Sequence, residues 1–334
     1  MDTGEIAANV YDEAVVVDGL NVSNWESPAV FDSLQAGGVT AINATIAVWE
    51  GYADAMDNVA AWLRRFEERN ETLSQVSSVQ DILDAKRDGK TGVILGWQNA
   101  SPIENVLDRL ETFYRLGVRV IQLTYNERNL LGNGCWERTD DGLSHFGADA
   151  VREMNRLGIL IDLSHVGDRT TLDAADLSDL PVACTHANAR SFFGSPRNKT
   201  DDALRLIAEK GGVIGATSWP PFLRKEWEST LADFIDAIED MVERVGIDHV
   251  GIGSDYTQGQ TKEWFDVLMS QQGTKPLAKR QDYPEVPGHP EGLETPDKMP
   301  AIADALLGRG FRTDDITKIL GGNWLRLLKR VWRS

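Results

Sequence analysis

Eight short apolar runs, each five to eight residues long and rich in Val and Ile, constrain what this chain can fold into more than any other feature. They are AVVVDG (14–19), VTAINATI (39–46), GVILGW (92–97), VRVIQLTY (118–125), ILIDLS (159–164), PVACT (181–185), GVIGATS (212–218) and HVGIGS (249–254). Nearly continuous apolar runs mark strands covered on both faces, as in a parallel sheet; a half-exposed antiparallel strand alternates instead. Between them lie segments of helical period, among them IENVLDRLETFYRLG (103–117), FGADAVREMNRLG (146–158), DDALRLIAEKG (201–211) and LADFIDAIEDMVERVG (231–246). Each ends on a glycine suited to a left-handed C-cap. Strand and helix alternating eight times predict one α/β domain over residues 1–334, a (β/α)8 TIM barrel. An open doubly wound sheet is the competing architecture, but no Gly-x-Gly-x-x-Gly follows a first strand. GGNWLRLLKRVW (321–332) reads as an amphipathic helix closing the fold, its basic residues a solvated face.

Length alone, 334 residues, also allows two ordinary domains, so the repeat of strands decides. A composition of 42% hydrophobic and 26% charged residues supports a large core and excludes disorder. Lys plus Arg number 34 against 52 Asp plus Glu, a formal charge of -18, which is the wrong sign for nucleic acid or anionic lipid. No stretch approaches the roughly 18 apolar residues of a membrane span. MDTGEIAANVYDEA lacks the basic and apolar regions of a secretory signal, so a cytoplasmic protein is expected. Two cysteines, Cys135 and Cys184, make no disulfide framework, and Cys184 inside PVACT reads as a small core residue.

Two connections exceed ordinary loops: residues 126–142 after the fourth strand, and the Pro-, Gly- and Gln-rich residues 256–298 after the eighth. Both leave C-terminal strand ends, where barrel loops carry function, and they are expected to be lids or substrate walls. For the second, a mobile excursion or a subunit contact is the competing reading.

Catalytic groups in a barrel stand where strands run out. Those positions hold Asp18-Gly19-Leu20, Asn43 and Thr45, Gln98-Asn99, Tyr125-Asn126, His165, His186, Ser218 and Trp219, and Asp255. Either histidine alone reads as a structural imidazole, but two just past adjacent strands are placed to share one cation. Asp255 closes the eighth strand, where a carboxylate ligates a cation or takes a proton from its water. Arg197 and Asn198 precede a helix capped by Thr200; a guanidinium there clamps a substrate carboxylate, or else pairs with surface acids. His145, His249 and His289 are assigned no chemistry.

With DLSH, THANAR, SPRN, GIGSD and LGGNWLR in order, the chain resembles the membrane (renal) dipeptidase family of metallopeptidases over nearly its whole length. The resemblance implies an amidohydrolase-type barrel, homodimers, and two zinc ions whose bridging hydroxide attacks a dipeptide amide. One ion is held by a strand-one His-x-Asp and a strand-eight Asp, the other by the histidines of strands five and six, with a strand-three Glu bridging. By that likeness His165 and His186 match the second-ion ligands, Asp255 the strand-eight Asp and Arg197 the substrate-binding Arg.

Several positions depart from the pattern. Leu20 and Val22 stand for the His-x-Asp, Gln98 for the bridging Glu, and Tyr125 for a His that helps stabilise the tetrahedral intermediate. The expectation is therefore one Zn2+ on His165, His186 and Asp255, with Cys135 or Glu137 as a further donor. Asp255 shuttles protons, and Tyr125 or Arg197 steadies the oxyanion. Arg197, Asn198, Tyr125, Asn126 and Gln98 are expected to contact a dipeptide or other small amide. Two other readings compete: a barrel that binds a small amino-acid-like ligand without catalysis, and a lyase or isomerase acting on one.

Overall fold

The computed structural model describes residues 3–276, 284 and 287–333. Eight parallel strands close into a barrel: β1 (Val17–Asn21), β2 (Ala41–Ala47), β3 (Thr91–Trp97), β4 (Val118–Gln122), β5 (Leu160–Asp162), β6 (Ala183–Cys184), β7 (Val213–Ala216) and β8 (Val250–Ile252). β8 pairs back onto β1 through Asp18 and Ile252, and β2 runs beside β3 from Ala41–Gly92 to Ala47–Trp97, which completes the ring. Each strand falls within a predicted apolar run or within two residues of one. A ninth strand, Leu73–Gln75, pairs with the first half of β3 on the edge that β4 takes over from Leu95 onward.

The expected helices at 146–158, 201–211 and 231–246 are present as α1 (His145–Leu157), α2 (Asp201–Glu209) and α3 (Leu231–Val245). Thr200 caps α2 by accepting from Ala203 N, and Gly158 ends α1 at φ 81°. The predicted helix at 103–117 is shorter. Glu104 sits at φ 50°, in the left-handed region, so only Arg109–Arg115 continues as α-helix.

The connection at 126–142 contains no regular element. The one at 256–298 contains a capped helix, α4 (Lys262–Leu268), and a two-stranded antiparallel ribbon, Ser270–Gln271 with Lys275–Pro276; its residues 277–283, 285 and 286 lie outside those described. The closing helix α5 (Asn323–Val331) drives the Trp324 indole under the barrel. There its Nε1 donates to Ile252 O at 3.0 Å, against Gly19, Gly215 and Gly251, where a side chain would collide with the ring. Among the described residues no helix is long and apolar enough to cross a membrane.

Candidate active site

The buried Asp162 carboxylate organises the ends of β5 and β6. Its Oδ1 accepts from Ser164 N and Oγ (2.9 and 2.6 Å) and from Thr185 N (2.9 Å), while Oδ2 accepts from Thr185 Oγ1 at 2.6 Å. Ser164 Oγ in turn accepts from His186 N at 3.0 Å. One side chain thus fixes both turns from which His165 and His186 project.

The two imidazoles meet with Nε2 to Nε2 at 3.0 Å. His165 Nδ1 lies 2.6 Å from Asn126 Oδ1, an acceptor, so that nitrogen carries the proton. His186 Nδ1 lies 2.8 Å from Thr185 Oγ1, whose own proton goes to Asp162, so it too is a donor. Both Nε2 atoms then present lone pairs to one another, an arrangement that is repulsive until a cation or a proton lies between them. Burial, and after it the charge of Arg197, holds both rings well below the usual histidine range and therefore neutral, the form that ligates metal.

Arg197 is 1% exposed. Its Nη1 donates to Ser164 O and its Nη2 to His186 O, each at 2.7 Å, and its buried Nε has no hydrogen-bond partner among the described residues. The side chain lines the cavity, so a guanidinium with a spare donor stands beside the histidines. Behind it lies Lys199, equally buried, donating to Val166 O and Thr171 Oγ1; burial lowers its pKa. Nothing in its local sequence distinguishes Lys199 from a surface lysine.

Asp255 lines the same cavity, at φ 62°, with its N–H donating to Leu20 O at 3.0 Å. A non-glycine residue in the left-handed region is held there by its surroundings. Burial pushes its carboxyl up to about 7, Arg197 opposing. The neighbouring Asp18 accepts from Ser254 N and Oγ at 2.8 and 2.6 Å, tying β1 to the end of β8, and burial raises it to about 6.

The expected three-donor set is not preformed: among the described residues no three His, Cys, Asp or Glu side chains gather to hold a metal. The two histidines come together, and Asp255 shares their cavity without joining them. Cys135 and Glu137 are not at the histidine pair either. Cys135 Sγ rests against Asn126 Oδ1 at 3.4 Å, and Glu137 Oε1 accepts from Arg128 N at 2.8 Å.

Leu20 is buried and Val22 lines the cavity, neither with a donor atom to offer, and the Gln98 amide donates to Thr45 Oγ1 at 3.0 Å. His165 and His186 thus offer two nitrogen donors to a cation, and Leu20 and Val22 offer none. Tyr125 stacks on His165 with centroids 4.1 Å apart and fixes the plane of that ring. Asn126 also borders the cavity, but its carbonyl is committed to His165. Asn198 lies behind the wall, its Nδ2 donating to Phe193 O and Phe222 O.

The cavity is completed by Trp219 at the end of β7 and by residues that strand ends do not reveal: Trp136, Phe222, Phe265, Leu268 and Met269. Trp136 comes from the 126–142 connection, and Phe265, Leu268 and Met269 from the 256–298 connection. The available signal was the expectation that those connections act as walls.

Comparison with known proteins bears on the family and the fold. The family model described as membrane dipeptidase (Peptidase family M19) matches residues 18–286. Dipeptidase tcpJ of Claviceps purpurea is 30% identical over 281 residues, 83% of this chain and 60% of that protein. The uncharacterized dipeptidase C965.12 of Schizosaccharomyces pombe is 30% identical over 286 residues, 83% of this chain and 62% of its own. This chain thus spans about three fifths of the length of these relatives. The crystal structure of an amidohydrolase from Pseudomonas aeruginosa superposes with a TM-score of 0.94 at 38% identity, covering 98% of this chain and 99% of that one. The chain belongs to the membrane dipeptidase family, Peptidase family M19.

Proposed function

We propose that the protein is a metal-dependent hydrolase that cleaves a dipeptide or similar small amide with one divalent ion, Zn2+, where the family pattern carries two. The observation behind this reading is the pair of Nε2 lone pairs opposed at 3.0 Å, each imidazole held by a hydrogen bond at its other nitrogen. Such outer bonds orient metal-ligating histidines and raise their basicity.

Charge favours a single ion. Relative to the pattern that the resemblance implies, Val22 for Asp and Gln98 for Glu remove two negative charges, which matches the loss of one dication. Leu20 for His removes a neutral donor. The net charge of the site is therefore kept while the metal count falls by one.

His165 and His186 would hold the ion, which when bound supplies Lewis acidity and a water acidified to a pKa of roughly 7. Arg197, with a free Nε and a fixed guanidinium plane, binds the substrate carboxylate or the developing oxyanion. Asp255, poised near neutrality in the same cavity, takes a proton at its carboxylate and returns it to the leaving nitrogen. The aromatic walls exclude water from the reacting amide. The family resemblance adds a homodimer, and two free cysteines suit a reducing compartment such as the cytoplasm.

The test is metal analysis of the purified chain alongside product masses from a dipeptide panel. The reading expects about one equivalent of zinc and products heavier than the substrate by one water. Two equivalents would overturn the single-ion part, and products isomeric with the substrate would overturn hydrolysis.

A further inference from the structure

The cavity has two chemically different sides. Its floor carries His165, Arg197 and Asp255. Another part of its lining is an apolar cluster separate from the main barrel core, formed by Trp219, Phe222 and Phe265, each 6% exposed, with Trp227, Trp264 and Leu268 packed against it. The wall is assembled from two connections, since Trp219 and Phe222 follow β7 whereas Phe265 lies on α4. Trp219 stacks on Phe265 with centroids 6.1 Å apart and planes 20° from parallel, and Trp227 meets it edge-on at 5.6 Å.

The wall is also registered against Arg197. Phe222 O accepts from both Asn188 and Asn198 at 3.3 Å, and the Arg197 guanidinium lies 5.2 Å from the Phe222 ring centroid. Trp219, Phe222 and Phe265 line the cavity and form a cluster distinct from those of the barrel core. Apolar surface turned toward a cavity gains free energy when an apolar ligand covers it.

We propose that Trp219, with Phe222 and Phe265, forms the subsite that selects a large apolar side chain, preferentially aromatic, on one residue of the substrate; this rests on the dipeptide-hydrolase reading above. A glycine or alanine side chain reaches less of the ring edges that line the cavity. An acidic side chain loses its hydration against them without a partner. A lysine or arginine side chain meets the charge of Arg197, already stationed at the Phe222 ring.

The experiment uses the full metal-loaded chain and dipeptides in which each position in turn is Phe, Leu, Ala, Asp or Lys. At one position kcat/KM for Phe should exceed that for Ala by about tenfold or more. Trp219→Ala and Phe265→Ala, which alter different segments, should each shrink that Phe-to-Ala ratio severalfold, mainly through KM, and circular dichroism identifies a variant that has failed to fold. A preference for Ala, Asp or Lys, or a ratio untouched in both folded variants, overturns the subsite and leaves the hydrolase standing. If no dipeptide is cut, the hydrolase reading falls, and calorimetric binding of the same compounds decides the wall: tighter binding of Phe supports it, equal affinity overturns it.

Discussion

His165 and His186 face each other through their Nε2 atoms at 3.0 Å, while their Nδ1 atoms donate to Asn126 and Thr185. A bound cation converts that opposition into two bonds and adds its binding free energy to folding. Chelation should therefore abolish activity and lower the melting temperature, and one equivalent of zinc should restore both. His165→Ala and His186→Ala should lose the metal and with it the shift on chelation, read by calorimetry with and without chelator.

Under the proposed function, Asn126 would act on a metal through His165. Its Oδ1 fixes the tautomer that leaves Nε2 free, and Trp136 N donates to the Asn126 carbonyl at 2.9 Å, anchoring the residue itself. Asn126→Leu removes the acceptor while keeping the volume, and zinc affinity should fall roughly 10–100-fold in a competition titration. Asn126→Asp keeps the acceptor and should restore most of that affinity.

Two carboxyl groups at the barrel mouth, the half-buried Asp255 and the buried Asp18, set opposite pH trends. Asp255, raised to about 7 by burial in the metal-free chain, serves as a proton acceptor only when ionised, and a bound dication lowers it, so kcat/KM of the metal-loaded chain should climb with pH along a limb that lies below about 7. Asp255→Asn should cost roughly 10²–10⁴-fold in rate and remove that limb of the profile.

Asp18, raised from 3.8 to about 6, holds its proton more tightly in the folded chain than in the unfolded one. The stability it contributes is present in full below 3.8 and is lost as pH rises through about 6, a change of about 3 kcal/mol. Urea midpoints across that window should fall with pH in the wild type and flatten in Asp18→Asn.

The strands and the histidine pair were legible because each depends on local sequence. A run such as VRVIQLTY announces a buried strand, and the residue where it stops is the residue at the barrel mouth. Asn126 and Asn198 were legible as site neighbours but not in their roles, since what they hold comes from other segments: His165 for one, Phe222 for the other. The aromatic wall was less legible still, because Trp219 and Phe265 are brought together by two irregular connections with no shared periodicity. Helix α4 was hidden in a segment rich in Pro, Gly and Gln, and the strand at Leu73–Gln75 is three residues long, too short for alternation to register.

Three of the four departures from the family pattern, those at metal-ligand positions, make the single-ion reading reversible. Leu20 is 1% exposed beside Asp255, Val22 lines the cavity, and Gln98 stands across from them on β3's end. Val22→Asp or Gln98→Glu alone places a carboxylate in a dry site with no compensating cation, and each should destabilise the fold by about 1–3 kcal/mol without adding metal. Combined with Leu20→His, the two substitutions supply a neutral donor and two charges, the complement that a second dication neutralises. The triple variant should take up a second equivalent of zinc and recover stability in its presence, as measured by metal analysis and thermal melts with and without chelator. A triple variant that stays at one equivalent would mean that the backbone around Leu20, held by Asp18 and Ser254, and not the side-chain set alone, has closed the second position.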